Sequence, residues 1–234
     1  MEPLMLPSKV RFTRGDRPHE GVLTVEPCIQ GFGTTLGNAL RRILLSSLPG
    51  AAVTAVKIKG ADHEFATLPH VKEDVLEIIL NAKALRFKLF SEEPVKLRLV
   101  VKGERQVTAA DFAKDALVEV VNPDQVLATL TDPSASFEME IWIGAGRGYR
   151  SSEERAKESK AELGVMTIDA LYSPILNVSY KVEETRVGEK IDFDKLTLRV
   201  ETDGSVDPVD ALNQAVQILQ DHVNVLKDLS YSAE

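Results

Sequence analysis

The sequence predicts an α+β fold, because strand-like and helical segments follow one another in separate runs along the chain. Two strand-like segments, 10–14 and 21–27, come before one long amphipathic helix. Short strand-like segments then alternate with turn residues, and the last part of the chain has two further strands before a final helix. A chain of 234 residues can form one large domain or two small ones, each with a buried core.

The overall charge indicates which partners the chain is suited to bind. The net charge is -8 and the isoelectric point is about 5.2, which disfavours a protein that grips nucleic-acid phosphates. The single cysteine, Cys28, excludes an internal disulfide and is expected to be buried near a strand end, with a reactive thiol as the alternative. The sequence has neither a basic leader followed by an apolar stretch nor a membrane-length apolar run, so we expect a cytoplasmic protein without membrane contact.

A glycine-rich turn leads into the first helix, which Pro49-Gly50 is expected to close. Thr34 or Thr35 is the expected cap at its start. Helical spacing places one set of residues on a common face that packs against the core: Leu36, Leu40, Ile43, Leu44 and Ser47.

Leu45 points away from that face, between Arg41 and Arg42. Such an exposed leucine between two arginines suits a contact with another protein, since arginine forms planar forked pairs while leucine fills a pocket. The alternative is that another part of this chain covers Leu45.

The middle of the chain is expected to form a compact, mainly β unit around one helix. The helix spans 71–85, with Val75, Leu76, Ile79 and Leu80 facing inward. The strand-like segments are 52–59, 95–101, 116–121, 125–130 and 137–143. Residues 144–164 carry many charges and few large apolar side chains, which predicts a mobile surface loop, with docking of a regulator as the alternative.

The last part of the chain returns to a half-exposed sheet, with strands at 175–183 and 196–201. Asp207 and Pro208 begin the final helix as cap and first residue. Two apolar stripes then follow the helix at seven-residue spacing, one through Leu212, Val216, Leu219, Val223 and Leu226, the other through Ala211, Ala215, Ile218, His222 and Val225. One stripe can cover the protein's own sheet while the other meets the same helix of a second copy. A monomer that buries both stripes is the alternative.

The residues offer no active site. Leu36 occupies the place where a dinucleotide-binding fingerprint needs glycine, and no phosphate-binding loop follows. Asp192 and Asp194 stand next to Lys195, which makes a poor magnesium site, and are expected to precede a strand and cap a turn. The four histidines lack the spacing of metal ligands.

Six separated segments of the chain resemble, in the same order, the amino-terminal domain of bacterial-type RNA polymerase alpha subunits. The main one is Gly31 to Ser47, and the others are 71–75, 118–123, 146–149, 172–174 and 194–196. The resemblance implies that residues 1–49 and 172–234 form one discontinuous dimerisation domain, a sheet plus two helices. Residues 50–171 would then be an inserted, mainly β domain that contacts the large subunits.

The function implied by the resemblance is that of a non-catalytic, homodimeric scaffold, on which the β and β′ subunits of RNA polymerase assemble for transcription. The chain would belong to a nucleotidyltransferase only as part of that complex, without a cofactor or metal of its own. The complex also includes omega and sigma subunits. DNA would be reached only indirectly, or through a carboxy-terminal domain that this chain lacks. The alternative is a standalone small-molecule enzyme, which only the glycine-rich turn and the Asp192/Asp194 pair favour.

The resemblance also implies three sets of contact residues. The dimer interface comprises Phe32, Leu36, Leu40, Ile43, Leu44, Leu212, Val216, Leu219, Val223 and Leu226. The contact with the β subunit comprises Arg41, Arg42, Leu45, Glu64 and Lys83. The contact with the β′ subunit comprises Ile168, Tyr172, Ser173, Pro174 and Arg186.

Overall fold

The computed structural model describes residues 5–156, 164–188 and 190–227 of the chain. The helices are α1 (Phe32–Ser46), α2 (Val75–Lys83), α3 (Ser152–Ala156) and α4 (Pro208–Asn224), and one 3₁₀ turn spans Ala109–Asp111. The strands of the first half are β1 (Lys9–Arg14), β2 (Glu20–Ile29), β3 (Pro49–Ile58), β4 (Phe87–Leu89), β5 (Val95–Lys102), β6 (Gln106–Thr108) and β7 (Val118–Val120). The later strands are β8 (Val126–Thr129), β9 (Ser136–Arg147), β10 (Tyr149–Arg150), β11 (Met166–Thr167), β12 (Ala170–Leu171), β13 (Ile175–Val187) and β14 (Lys190–Thr202).

The predicted α+β class is confirmed, and the chain divides into two compact units. Residues 1–48 and 174–234 form the first, called here the outer unit, and residues 49–173 form the second, called the inserted unit. The outer unit is therefore discontinuous in sequence. Each unit has a hydrophobic core of its own.

The outer unit is built on a four-stranded antiparallel sheet with the order β1-β2-β14-β13. The expected alternation in β14 is confirmed, because Leu196, Leu198 and Val200 are fully buried. Helices α1 and α4 contact each other and the sheet, and both contribute side chains to this core. The sheet therefore has one face covered by two helices.

The inserted unit contains a four-stranded sheet with the order β11-β3-β9-β5. Helix α2 begins where the Asp74 carboxylate accepts a hydrogen bond from the Glu77 amide at 2.7 Å. Its buried residues are Val75, Ile78, Ile79 and Ala82.

The expected inward positions of Leu76 and Leu80 in α2 are wrong, since both side chains are exposed. The helix is rotated so that the stripe through Val75, Ile78, Ile79 and Ala82 faces the core. A smaller residue, Ala82, thus occupies an inward position while two larger leucines remain in solvent. Close packing near the end of the helix decides this orientation.

The prediction of a surface loop over 144–164 is also wrong for most of the residues in this range that the structure describes, which are 144–156 and 164. Strand β9 continues to Arg147, and β10 and α3 follow directly. Gly144 and Gly146 pair with Ala52 and Gly50 of β3, so both lie within the sheet. The Arg155 guanidinium donates to the carbonyl oxygens of Thr54 at 2.7 Å and Ile168 at 2.8 Å. Residues 157–163 of the predicted loop lie outside the described residues.

Candidate functional site

The start of α1 is held by a residue from the opposite end of the chain. The Asp194 carboxylate on β14 accepts hydrogen bonds from the amides of Gly31 at 2.9 Å and Gly33 at 3.1 Å. Amides at a helix start have no partner within the helix, and a carboxylate there also interacts favourably with the helix dipole. The expected caps Thr34 and Thr35 are therefore wrong, because the helix begins earlier, after Gly31 in a left-handed conformation.

The glycines of this segment serve close packing. A Cβ atom on Gly37 would stand 2.6 Å from the Tyr180 ring, and one on Gly33 would stand 3.0 Å from Asp194. The missing side chains let α1 lie directly on β13 and β14. The glycine-rich turn and Asp194 are thus both engaged in packing and capping, which removes the two features that favoured a small-molecule enzyme. Asp192 and Asp194 lie within β14, so they do not precede a strand as expected.

The outward face of α1 presents two arginines and a leucine. Arg41 and Arg42 are exposed, and Leu45 between them is 39% exposed. Within the described residues neither guanidinium forms an ion pair. This geometry leaves all three side chains available to another protein.

The inward face of α1 holds residues that helical spacing assigned to the core and that the family resemblance assigned to a dimer interface. Leu40 and Leu44 lie in the core of the outer unit, and Leu44 has no exposed surface. Leu36 and Ile43 are half-buried against the same core, whereas Phe32 is exposed. Direct contact with a second copy is therefore corrected for Leu40 and Leu44, because their own chain already covers them.

Helix α4 has one buried and one exposed apolar face. The Asp207 carboxylate accepts a hydrogen bond from the Val209 amide at 2.9 Å, and Pro208 follows, so the predicted helix start is confirmed. The buried face consists of Ala211, Leu212 and Ala215, with Ile218 and Leu219 half-buried behind them. Leu212 is thereby also corrected from the interface to the core.

The exposed face of α4 carries Val209, Val216 and Val223, which are spaced by seven residues. Leu226, just past the end of the helix, is exposed as well. These side chains form an apolar strip, called here the α4 strip, that no described residue covers. Val216, Val223 and Leu226 belong to one of the two stripes that the seven-residue spacing indicates, whereas Val209 belongs to neither.

The inserted unit contains the two other residues assigned to the β contact. Glu64 is exposed in the segment before α2. Lys83, the last residue of α2, forms an ion pair with Asp169 at 3.2 Å. Asp169 also accepts a hydrogen bond from the Ser152 amide at 2.9 Å, and this bond is the largest cause that lowers the pKa of Asp169.

The ordering of residues around Asp169 is expected to depend on pH. The pKa of Asp169 lies below 3.8 in the folded chain, so its ionised form stabilises this contact above pH 3.8 and the stabilisation is lost as the pH falls through the folded pKa. We expect the Ser152 amide to be protected from hydrogen exchange at pH 5 and to lose that protection in the acid range. In an Asp169→Asn variant, hydrogen exchange measured by NMR should show weaker protection of the Ser152 amide, and that protection should not depend on pH in this way. Equal acid sensitivity in the variant would contradict the assignment.

The residues assigned to the β′ contact are divided between surface and interior. Tyr172 is only 5% exposed. Its ring packs closely on Gly146, because a Cβ atom added to that glycine would stand 2.7 Å from the ring. Ile168 is buried as well, in the core of the inserted unit. Pro174 is buried in the outer unit, so direct contact is corrected for these three residues.

The other two members of that set reach the surface. Ser173 is half-buried, and Arg186 is exposed on β13. The Arg186 Nε atom donates to the Gly188 carbonyl at 2.6 Å. Only these two side chains of the set are placed to touch a partner.

The described residues contain no cluster of three or more histidine, cysteine, aspartate or glutamate side chains that could hold a metal ion. Cys28 is buried at the end of β2, as predicted, and burial raises the pKa of its thiol, which disfavours the reactive thiolate. Nor does any helix in the described ranges combine the length and apolarity needed to cross a membrane.

Comparison with known proteins agrees with this geometry. Residues 56–173 match the family model described as the RNA polymerase Rpb3/RpoA insert domain. The chain is 50% identical over 210 residues to the DNA-directed RNA polymerase subunit alpha of Alkaliphilus oremlandii, covering 90% of this chain and 66% of that protein. Its identity to the same subunit of Oceanobacillus iheyensis is 49% over 214 residues, covering 92% of this chain and 68% of the relative. The chain thus spans about two thirds of the length of these relatives and belongs to the DNA-directed RNA polymerase alpha-subunit family.

Proposed function

We propose that this chain is the homodimeric assembly scaffold of an RNA polymerase, on which the two large subunits, β and β′, come together for transcription. The observation that carries the proposal is the set of exposed apolar residues on the helices of the outer unit. The α4 strip and Phe32 lie in solvent although the sheet beneath the helices is already covered. A second copy that presents the same surface would bury both by twofold symmetry.

The proposed dimer interface differs from the set that the sequence indicates. It consists of Phe32, Val216, Val223 and Leu226, with Leu36, Ile43 and Leu219 contributing their exposed parts. Leu40, Leu44 and Leu212 act indirectly, since they fix the orientation of the two helices from within the core. This division follows from burial, because a side chain covered by its own chain has little surface left for a partner.

The proposed contact with the β subunit uses Arg41, Arg42 and Leu45 on α1. Both arginines are free to form forked pairs with carboxylates, and Leu45 can enter an apolar pocket between them. Glu64 and Lys83 belong to the inserted unit and are proposed as a second part of the contact. Lys83 is held by Asp169, so its ammonium group is already positioned.

The proposed contact with the β′ subunit uses the accessible residues Ser173 and Arg186. Ile168, Tyr172 and Pro174 support that surface from the interior. Because a dimer presents every surface twice, one copy would use the β contact and the other the β′ contact. The chain itself is proposed to be non-catalytic and to need no cofactor. The complex would also include omega and sigma subunits, and DNA would be contacted only indirectly or through a carboxy-terminal domain.

The test of this function is capture of the β subunit by the Arg42→Ala variant. Loss of an arginine from the centre of an interface costs about 2 kcal/mol or more, which is roughly a thirtyfold weakening. The fold should be unaffected, because Arg42 is exposed and within the described residues forms no ion pair. The measurement is a titration pull-down of purified β subunit by the tagged chain, with circular dichroism melts in parallel.

The matched control is Arg14→Ala, which removes an exposed arginine from β1 of the same unit. It should capture the β subunit like the wild type. Undiminished capture by Arg42→Ala would remove this surface from the proposal. A lowered melting temperature would instead assign Arg42 to the fold.

A further inference from the structure

The open face of the sheet in the inserted unit carries a concentration of positive charge that the assembly function does not use. The core of the unit, including α2, lies on one side of this sheet. On the other side, register pairs place Lys57 beside Glu140, Arg98 beside the same glutamate, and Lys102 beside Ser136. Lys59 follows at the end of β3, and Lys96 lies beside Trp142. These five cations, Lys57, Lys59, Lys96, Arg98 and Lys102, are called here the cationic face.

The charge of this face is opposite to that of the chain. Its two carboxylates, Glu138 and Glu140, leave an excess of three positive charges, whereas the whole chain carries -8. Glu138 pairs with Lys59 at 3.1 Å and with Arg98, and Glu140 pairs with Lys96 at 2.8 Å. Lys57 and Lys102 form no ion pair within the described residues, so both ammonium groups remain available.

The face also offers apolar contact. Val100 is 49% exposed between Arg98 and Lys102 on the same side of β5. The Lys96 ammonium lies 4.9 Å from the centre of the Trp142 ring, which leaves part of the indole beside the cations. Along β5 the cations extend over about 20 Å, and the distance from β5 to β3 is about 10 Å. This is the footprint of a short extended peptide.

Protection of a sheet edge does not account for all of these cations. Lysines on an edge strand such as β5 prevent pairing with other sheets. Lys57, however, is half-buried on β3, which pairs with β9 at this position and with β11 at the preceding Ala55 and Val56. Its unpaired charge therefore needs another explanation.

We propose that the cationic face is a docking surface for an acidic protein segment, in which carboxylates alternate with apolar side chains. The carboxylates would pair with the outer rows of cations on β3 and β5, and an apolar side chain would rest on Val100 and Trp142. A nucleic acid fits less well, because Glu138 and Glu140 form the middle row and would face its continuous phosphate charge. This surface is separate from the residues proposed for assembly, so its test is independent of theirs.

The probe is a fluorescein-labelled decapeptide in which glutamate and leucine alternate, and binding to the full chain is measured by anisotropy at low salt. We expect saturable binding that weakens as salt is added. The double variant Lys57→Glu/Lys102→Glu should bind at least tenfold more weakly. It leaves the described ion pairs intact, so its thermal melt should match that of the wild type. The control, Lys72→Glu/Arg14→Glu, changes the net charge equally at exposed positions outside the face and should bind within twofold of the wild type.

Three outcomes would overturn the proposal. The wild type could fail to bind the peptide, the two double variants could lose binding equally, or a labelled single-stranded RNA could bind more tightly than the peptide and show the same loss in Lys57→Glu/Lys102→Glu. The first two would show that the charge is not a specific site. The third would assign the face to nucleic acid.

Discussion

A chain that carries both Val216→Asp and Val223→Asp is expected to sediment as a monomer, whereas we expect the wild type to sediment as the proposed dimer. Both valines lie on the α4 strip, and neither contributes to the core of its own unit. In the proposed dimer each new carboxylate would be buried without a cation, at a cost of about 3 kcal/mol or more. With two such charges in each of two copies, this cost would oppose formation of the dimer. Sedimentation velocity at micromolar concentration gives the result.

The control for this variant is Leu80→Asp on α2. Leu80 is 57% exposed and Val223 is 56% exposed, so both substitutions place a charge on the solvent face of a helix. The control should leave the dimer intact, and all variants should melt close to the wild type. Leu219→Asp is less informative, because Leu219 packs partly on the core and its loss would also destabilise the fold. A dimer that persists in the double variant would rule out the α4 strip as the interface.

Replacement of Asp194 by alanine is expected to lower the free energy of unfolding by about 3 kcal/mol. The substitution leaves two amides at the start of α1, those of Gly31 and Gly33, without their acceptor, and each charge-assisted hydrogen bond contributes about 1.5 kcal/mol or more. Urea denaturation monitored by circular dichroism measures the loss.

Asp194→Asn is the matched variant, since its amide oxygen still accepts a hydrogen bond but carries no charge. Its stability should lie between that of the wild type and that of Asp194→Ala. If Asp194→Ala unfolds at the same urea concentration as the wild type, the cap has no energetic role. In that case only packing against β13 and β14 would stabilise the start of α1.

The sequence predicted features that depend on neighbours close along the chain. The alternation of Leu196, Leu198 and Val200 indicates which face of β14 is inward, because strand geometry alone imposes it. The cap at Asp207 followed by Pro208 is a local signal and begins α4 as predicted. Helical spacing likewise predicts that Leu45 lies on the side of α1 opposite its inward face.

The sequence did not predict features that depend on distant residues or on close packing. Asp194 caps the start of α1 by accepting from the Gly33 amide, 161 residues earlier, and no local pattern relates the two. On α2 the sequence pattern predicted Leu76 and Leu80 as inward residues, whereas Ile78 and Ala82 are buried in their place. The family resemblance implied a surface contact for Tyr172, yet the absence of a side chain on Gly146 leaves a space that its ring fills.

By itself, then, the sequence determined the α+β class, the order of the longer strands and of helices α1, α2 and α4, and the family to which the chain belongs, since periodicity and motifs are local properties of the chain. The tertiary structure decided which apolar residues are buried in the core and which stay exposed and can contact a partner. Leu44 and Val216 look equivalent in the sequence as helical apolar residues, but only Val216 is exposed. The physical reason is that a side chain's burial depends on what other elements pack against it, and that is a property of the whole fold.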